Sequence, residues 1–217
     1  MRTVYSTIFG IIHSISGVLA LISLPIAGLG IGSLPKISSI VGLFLALYFI
    51  SGVAMVYETY VVVMEANSIY TSSSERFKAY IESHPVNSPV YLYGYQSISN
   101  FSSRRENGVK LMIVLLMFSI VNEIPLVNII PLVYYIGREY GRIRNLLVLQ
   151  SQLGFGGGYF PDTAGLELAT IITNGLTLGM LTKRLILISQ ALLSSPLQQG
   201  PGPGPAYPPY GGGSPSP

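Results

Sequence analysis

The sequence has no cysteine, no tryptophan and few charged residues. Without thiols, the chain forms no disulfide bond, no thiolate metal site and no cysteine nucleophile. It contains two histidines and a single aspartate, which show no metal-ligand spacing and do not suggest a Ser/His/Asp site. The sequence therefore predicts a protein that is not an enzyme and that carries no metal or other cofactor.

Low charge places the chain in a broad class. Charged residues make up 10% of the sequence, whereas soluble domains contain about 25%. Hydrophobic residues make up 49%, and the mean hydropathy is +0.53. The net charge of +3 is small and dispersed, so the sequence does not indicate a nucleic-acid partner. This composition predicts burial in lipid, with the loop charges setting the orientation.

Two long uncharged runs dominate the N-terminal half, residues 3–35 and 37–57. A spanning helix needs about 20 consecutive, mostly apolar residues, and both runs reach that length. Proline and glycine are dense at residues 25–36, where they break a helix. We therefore predict helices over about residues 4–24 and 37–64, joined as an antiparallel hairpin.

A third apolar region, residues 111–137, is interrupted by the sequence Asn-Glu-Ile-Pro at residues 122–125. It forms either one kinked spanning helix or a re-entrant hairpin that turns back at the interruption. Cytoplasmic loops carry an excess of Lys and Arg. A re-entrant hairpin keeps both basic flanks in the cytoplasm, whereas a span places Arg138, Arg142 and Arg144 outside. The sequence leaves both arrangements open.

A fourth region, residues 164–194, contains Lys183 and Arg184 near its middle. Its uncharged part, residues 168–182, is roughly 22 Å long as a helix, which is short of a hydrocarbon core of about 30 Å. The region spans a membrane only if the helix continues to residue 194 and the two cations snorkel or face protein.

The polar segment, residues 65–110, is predicted to be a loop that lies in the cytoplasm together with the N-terminus. Within it, Ser73 or Ser74 is a candidate N-cap for a short helix. Phe77 and Ile81 fall on one face of that helix, which is predicted to lie on the membrane or on the bundle.

From Pro196 onward the composition changes to Gln, Gly, Pro, Tyr and Ser. Such a segment buries too little apolar surface to fold, so residues 196–217 are predicted to be a disordered tail. The predicted fold is all-α, with an integral membrane helical bundle of about four hydrophobic segments in residues 1–195. The predicted location is the cell membrane, crossed more than once.

Glu123 is the principal candidate for chemistry, because an ionisable group inside an apolar stretch is costly and marks a functional site by default. With Asn122, Asn128 and His13 it forms a possible intramembrane proton or ion site. Two structural alternatives stay open. Glu123 marks the tip of a hairpin or pairs with another helix, and His13 is hydrogen-bonded within the bundle.

The predicted partners are the lipid bilayer and other membrane helices. Arg138, Arg142 and Arg144 are candidate contacts for lipid head groups, although they also serve simply to set topology. Gly175 and Gly179 stand one helical turn apart and permit close packing, either with the chain itself or with other membrane proteins.

The hairpin with its Gly/Pro turn, the motif NEIPLVNIIPLV at residues 122–133 and the Pro/Gly/Tyr-rich tail carry a resemblance. Together they resemble small polytopic membrane proteins of archaea, over residues 10–140 and the tail. That family has no assigned activity, so the resemblance implies a class of protein only.

Three hypotheses about function follow from the sequence. The first is a non-enzymatic scaffold or structural component of an archaeal membrane. The second is a proton- or ion-coupled transporter or channel component that uses Glu123. The third is an envelope protein of an archaeal virus, which shares the physics of the first.

Overall fold

The structure, a computed structural model, describes residues 2–28, 35–83, 96, 107–119, 127–155 and 160–196. Every regular element in these ranges is a helix, so the predicted all-helical class is confirmed. The helices are α1 (Arg2–Gly28), α2 (Pro35–Ser83), α3 (Gly108–Ser119), α4 (Ile130–Gln152), α5 (Ala164–Ile172) and α6 (Leu178–Leu193). A single 3-10 turn, Val127–Ile129, precedes α4.

Helix α2 is much longer than the predicted helix over residues 37–64. It has 49 residues and is roughly 73 Å long. Residues 65–83 of the predicted loop are therefore helical. Ser73 and Ser74, the candidate N-caps, are fully buried inside α2. Burial of apolar side chains such as Phe77 against the bundle continues the helix, and several Ser and Thr hydroxyls donate to carbonyls within it.

Helices α1 and α2 form the predicted antiparallel hairpin. A Cβ added at Gly52 would lie 3.3 Å from His13 Cε1, and one added at Gly17 would lie 2.8 Å from Tyr48 Cε2. Later residues of α1 thus lie beside earlier residues of α2, so the two helices run in opposite directions. Of the described helices, α2 is the one long and apolar enough to span a membrane, whereas the apolar part of α1, Thr7–Ile22, is shorter.

Helices α3 and α4 form a second hairpin. Their contacts with α2 show the direction in which each helix runs. Helix α3 starts beside the middle of α2, since a Cβ added at Gly108 would lie 3.0 Å from the Tyr60 hydroxyl. It packs against the 3-10 turn, where Asn128 donates to the Tyr48 hydroxyl over 2.6 Å. Helix α4 then returns, and Glu139 meets α2 about five turns beyond Tyr48. Helices α3 and α4 therefore run in opposite directions along α2, and the re-entrant alternative for residues 111–137 stays a prediction.

The predicted helix over residues 164–194 is broken into α5 and α6. Asn174 (φ 49°) and Gly175 (φ 93°) lie in the left-handed region. The Gly175 N–H donates to the Thr170 carbonyl over 2.8 Å, and the Asn174 N–H donates to the Ile171 carbonyl over 3.0 Å. These two bonds form a Schellman motif, which ends α5 and reverses the chain.

Helices α5 and α6 form a third hairpin beside α1. The Ser14 hydroxyl donates to the Thr173 carbonyl over 2.8 Å, and a Cβ added at Gly179 would lie 2.8 Å from the Thr7 nitrogen. Helix α6 therefore runs antiparallel to α1 and toward the C-terminal end of α2. Arg184 of α6 donates to a backbone carbonyl just before α5, so α5 starts at the same end.

The buried core lies between the second half of α2, α4 and α6. Its largest fully buried side chains include Phe77, Leu132, Ile136, Ile143 and Leu181. The second half of α1 and the first half of α2 extend beyond this core, with apolar side chains on their surface. Several predictions fall outside the described residues: the turn at residues 29–34, the interruption at residues 122–125 and the tail at residues 197–217.

Candidate functional site

A buried polar cluster lies where the tips of the α3–α4 and α5–α6 hairpins meet the first hairpin. We call it the tip cluster, and it consists of His13, Tyr48, Ser51, Asn128 and Asn174. Four of the five are 2–6% exposed, and Tyr48 is half-buried. Each tip contributes one asparagine, α1 contributes the histidine and α2 contributes the tyrosine and serine.

Among the described residues, His13 contacts neutral polar groups on both ring nitrogens. Its ring stacks on Tyr48 with the centroids 4.1 Å apart and the planes 19° apart. Nδ1 lies 3.2 Å from the Tyr48 carbonyl oxygen and 3.2 Å from the Ser51 hydroxyl. Because a carbonyl oxygen only accepts, we assign a ring proton to Nδ1. Nε2 is then free to accept from Asn128, whose Nδ2 lies 3.2 Å away.

Asn128 ties the 3-10 turn to both helices of the first hairpin. Its Nδ2 donates to the Tyr48 hydroxyl as well as to His13. Asn174 also hydrogen-bonds the Tyr48 hydroxyl. Among the residues that the structure describes, the buried Asn128 Oδ1 atom has no hydrogen-bond partner. The cluster thus joins four chain segments through hydrogen bonds and keeps one acceptor unused.

Local sequence explains why polar groups gather at this level. Helix α5 ends at the Asn174–Gly175 pair, and Pro131 in the first turn of α4 needs no hydrogen-bond acceptor. Polar side chains in apolar surroundings are costly unless they are hydrogen-bonded. The two asparagines and His13 meet that need by bonding to Tyr48 and to one another.

The tip cluster is a set of hydrogen-bonded polar side chains with one titratable imidazole, that of His13. His13 is able to take up a proton at Nε2, the ring nitrogen that faces Asn128. A protonated ring needs an acceptor there, which rotation of the Asn128 amide supplies by presenting Oδ1. Binding of a proton and orientation of the amide are therefore linked.

The structure brings together two of the four residues predicted for a proton or ion site, His13 and Asn128. The other two, Asn122 and Glu123, lie outside the described residues, so their part in the site stays a prediction. Sequence reasoning missed Tyr48, which stands unmarked in an apolar run. It also missed Asn174, although an Asn-Gly pair is a turn signal.

A second buried polar group, Glu139 on α4, was also missed. Its side chain is fully buried, and its carboxylate accepts from Arg138 over 3.0 Å and from Arg142 over 2.9 Å. Asn67 of α2 lies 3.5 Å from the same carboxylate. The Arg142 guanidinium also lies over the Tyr70 ring, 4.3 Å from its centroid. This network fastens α4 to the second half of α2.

The three arginines predicted to contact lipid head groups differ in position. The Arg142 side chain is 10% exposed and turned inward, because Glu139 and Tyr70 bind it. The Arg138 side chain is 29% exposed and is shared between Glu139 and the ring of Tyr135. Arg144 is half-buried. Arg142 is therefore the least accessible of the three, and head-group contact stays a prediction for all of them.

Tyr140 fixes the start of the α5–α6 hairpin against α4. Its hydroxyl donates to the Pro161 carbonyl over 2.8 Å, and its side chain is buried. Burial raises the pKa of Tyr140 above its ordinary value, against the lowering effect of the nearby Arg184 and Arg144 charges. The phenol is thus a neutral donor at physiological pH.

Among the residues that the structure describes, no three His, Asp or Glu side chains come together as a metal site. Comparison of the chain with protein-family models, with curated proteins and with solved structures finds no match.

Proposed function

We propose that this chain is a non-enzymatic integral membrane protein, which acts as a scaffold or structural component. In this proposal the α1–α2 hairpin spans the membrane and the core-forming part of the helices stands in the cytoplasm. The observation that carries it is the apolar surface of the hairpin. The side chains that are at least half exposed there include Ile15, Val18 and Ile22 on α1 and Leu43, Phe49 and Ile50 on α2.

The distribution of charge supports the same orientation. Among the described residues, Lys36 is the one charged residue near the turn between α1 and α2. Most of the other charged residues in the described ranges lie on the second half of α2, at the start of α1 or on the helices that pack there. Positive charge is enriched on the cytoplasmic side of membranes. We therefore propose that the N-terminus and the bundle lie in the cytoplasm.

The two shorter hairpins are proposed to be re-entrant. Along α2, Tyr48 precedes the exposed Tyr57 by nine residues. This separation is roughly 14 Å along the helix, which is about half the thickness of a hydrocarbon core. Non-helical backbone at that depth is tolerated only where protein or water covers it. The tip cluster supplies such cover, since His13 and Tyr48 bond to both tips.

A scaffold needs a rigid link between an anchor and a platform. Helix α2 gives this link, because its apolar half belongs to the anchor and its polar half belongs to the bundle without interruption. An archaeal membrane protein and an archaeal virus envelope protein both fit this description. The resemblance to small archaeal membrane proteins supports that setting.

The anchor is tested with lysine substitutions on the hairpin and a matched control on the bundle. Leu43→Lys and Ile50→Lys each place a charge where we expect lipid, at a cost of about 2.5–3.5 kcal/mol. Val148→Lys alters a side chain on α4 that is 45% exposed, where we expect water. The hairpin variants should lose resistance to alkaline extraction from membranes, and Val148→Lys should keep it. Equal behaviour of the three variants contradicts the proposal.

A second candidate is a proton- or ion-coupled transporter or channel component, and the tip cluster favours it. Polar groups at the tips of broken helices near mid-membrane are the usual place of transport sites. Purified protein in liposomes should then carry a proton or cation flux that His13→Phe reduces. Absence of flux in the unaltered protein rejects this candidate and leaves the scaffold.

A further inference from the structure

An open groove runs between α2 and α6 on the surface of the bundle, with a volume of about 500 Å³. Its floor is apolar, with Val62 buried and Ile69 half-buried there. Its edges are mixed and are lined by the exposed side chains of Leu187, Leu193, Lys183 and Gln190. The volume is within the range of pockets that bind ligands and short peptide segments.

The chain itself leaves the bundle at one end of this groove. Leu193, which lines the groove, is the last residue of α6. Two residues later the Ser195 hydroxyl donates to Gln150 Oε1 over 2.7 Å, and Ser195 is only 7% exposed. The position of Ser195 is therefore fixed, two residues after the groove residue Leu193 and two residues before the segment 197–217.

The composition of residues 197–217 suits such a surface. The segment has no charged residue, seven prolines and two tyrosines, Tyr207 and Tyr210. A proline-rich segment loses little conformational entropy when it docks, because its extended helical form is already favoured in the free chain. Their unused backbone carbonyls accept hydrogen bonds, and Lys183 and Gln190 are suitable donors at the groove edge.

The C-terminal segment is also long enough to fold back along the groove. The groove follows α6 from Leu193 back to Lys183, which is roughly 15 Å along the helix. About five residues in polyproline II conformation cover that distance. Glycines alternate with prolines at residues 200–204 and permit a reversal before Tyr207.

We propose that the C-terminal segment around Tyr207–Tyr210 docks in the α2–α6 groove of its own chain. The proline and tyrosine rings cover the apolar floor, and Lys183 and Gln190 bind the segment's carbonyl groups. Attachment at Ser195 gives the segment an effective concentration near the millimolar range, so weak contacts are sufficient. An occupied groove excludes other polypeptides from this face of the bundle.

Disulfide trapping tests the proposal, because the chain has no cysteine of its own. One variant combines Glu65→Cys, at the groove, with Ala206→Cys in the segment. The control combines Val148→Cys with Ala206→Cys. Val148 is exposed and lies two residues from Gln150, the residue that holds the exit point. A segment without a preferred site is expected to show no preference for the groove position over this exposed control position.

Under mild oxidation of dilute, detergent-solubilised full-length protein, the groove pair should form an intramolecular disulfide at least tenfold faster than the control pair. Adding Leu187→Lys, at a side chain that is 52% exposed, should reduce the groove rate to that of the control. Equal rates for the two pairs, or no effect of Leu187→Lys, overturn the proposal. Disulfide-linked dimers of the groove pair assign the groove to a second copy and overturn it as well.

Discussion

At the scale of single residues, the acid that lies fully buried within the described ranges is Glu139. Sequence reasoning chose Glu123 because it interrupts an apolar run, and it treated the basic residues after Gly137 as head-group contacts. Glu139 lies among those arginines, so its burial was hidden by apparent surface charge. Three-dimensional packing of α4 against α2 turns it inward, with Arg142 as its nearest partner.

Glu139→Gln should lower the free energy of unfolding by about 3 kcal/mol, because the nearly buried Arg142 charge loses its partner. Thermal unfolding in detergent measures the change. The control is Glu82→Gln, since Glu82 pairs with Lys78 on an exposed face and such pairs contribute little. An equal loss in both variants would show that the Glu139 network does not stabilise the bundle.

At the scale of elements, the reversal between α5 and α6 depends on a glycine in a crowded position. Gly175 has φ 93°, and a Cβ there would lie 2.9 Å from Met55 Cε and 3.2 Å from Ile129 Cδ1. Gly154 ends α4 with a similar φ of 83°, but a Cβ there would meet nothing within 4 Å. A comparison of substitutions at the two glycines therefore separates the cost of backbone strain from the cost of steric overlap.

Gly175→Ala should therefore destabilise the protein more than Gly154→Ala. Strain at positive φ costs of order 1 kcal/mol in both, and overlap with Met55 and Ile129 adds about 1–3 kcal/mol at Gly175 alone. Urea or thermal unfolding of the two variants gives the difference. If Gly154→Ala is the more damaging change, the described packing of the α5–α6 tip on α2 is wrong.

Some elements could be predicted from sequence and others could not, for physical reasons. The first hairpin was predictable because long apolar runs and a Gly/Pro turn are local signals. The length of α2 was not, because its polar segment is helical only through the burial of side chains such as Phe77. The break at Asn174–Gly175 had a local signal, but the continuous apolar pattern around it outweighed that signal.

The tip cluster shows the same division. His13 and Asn128 were predicted as polar residues in apolar runs. The structure places His13 Nε2 and Asn128 Nδ2 3.2 Å apart. Their shared partner, Tyr48, could not be chosen from sequence, since a tyrosine in a spanning helix is unremarkable until two asparagines are brought to it.

At the scale of the whole molecule, the chain divides into an apolar hairpin and a packed bundle, linked by the single helix α2. The α3–α4 and α5–α6 hairpins both start from the bundle and both return to it. The central claim is that the bundle stands on one side of a membrane and that these two hairpins enter it without crossing.

Labelling of single cysteines in oriented vesicles tests this claim most directly. The three positions are Lys36→Cys near the first turn, Asn107→Cys before α3 and Asn145→Cys on α4, where the two asparagines are exposed. An impermeant maleimide should label residues 107 and 145 from the same side and residue 36 from the opposite side. Labelling of residues 107 and 145 from opposite sides would contradict the account, because residues 111–137 would then cross the membrane.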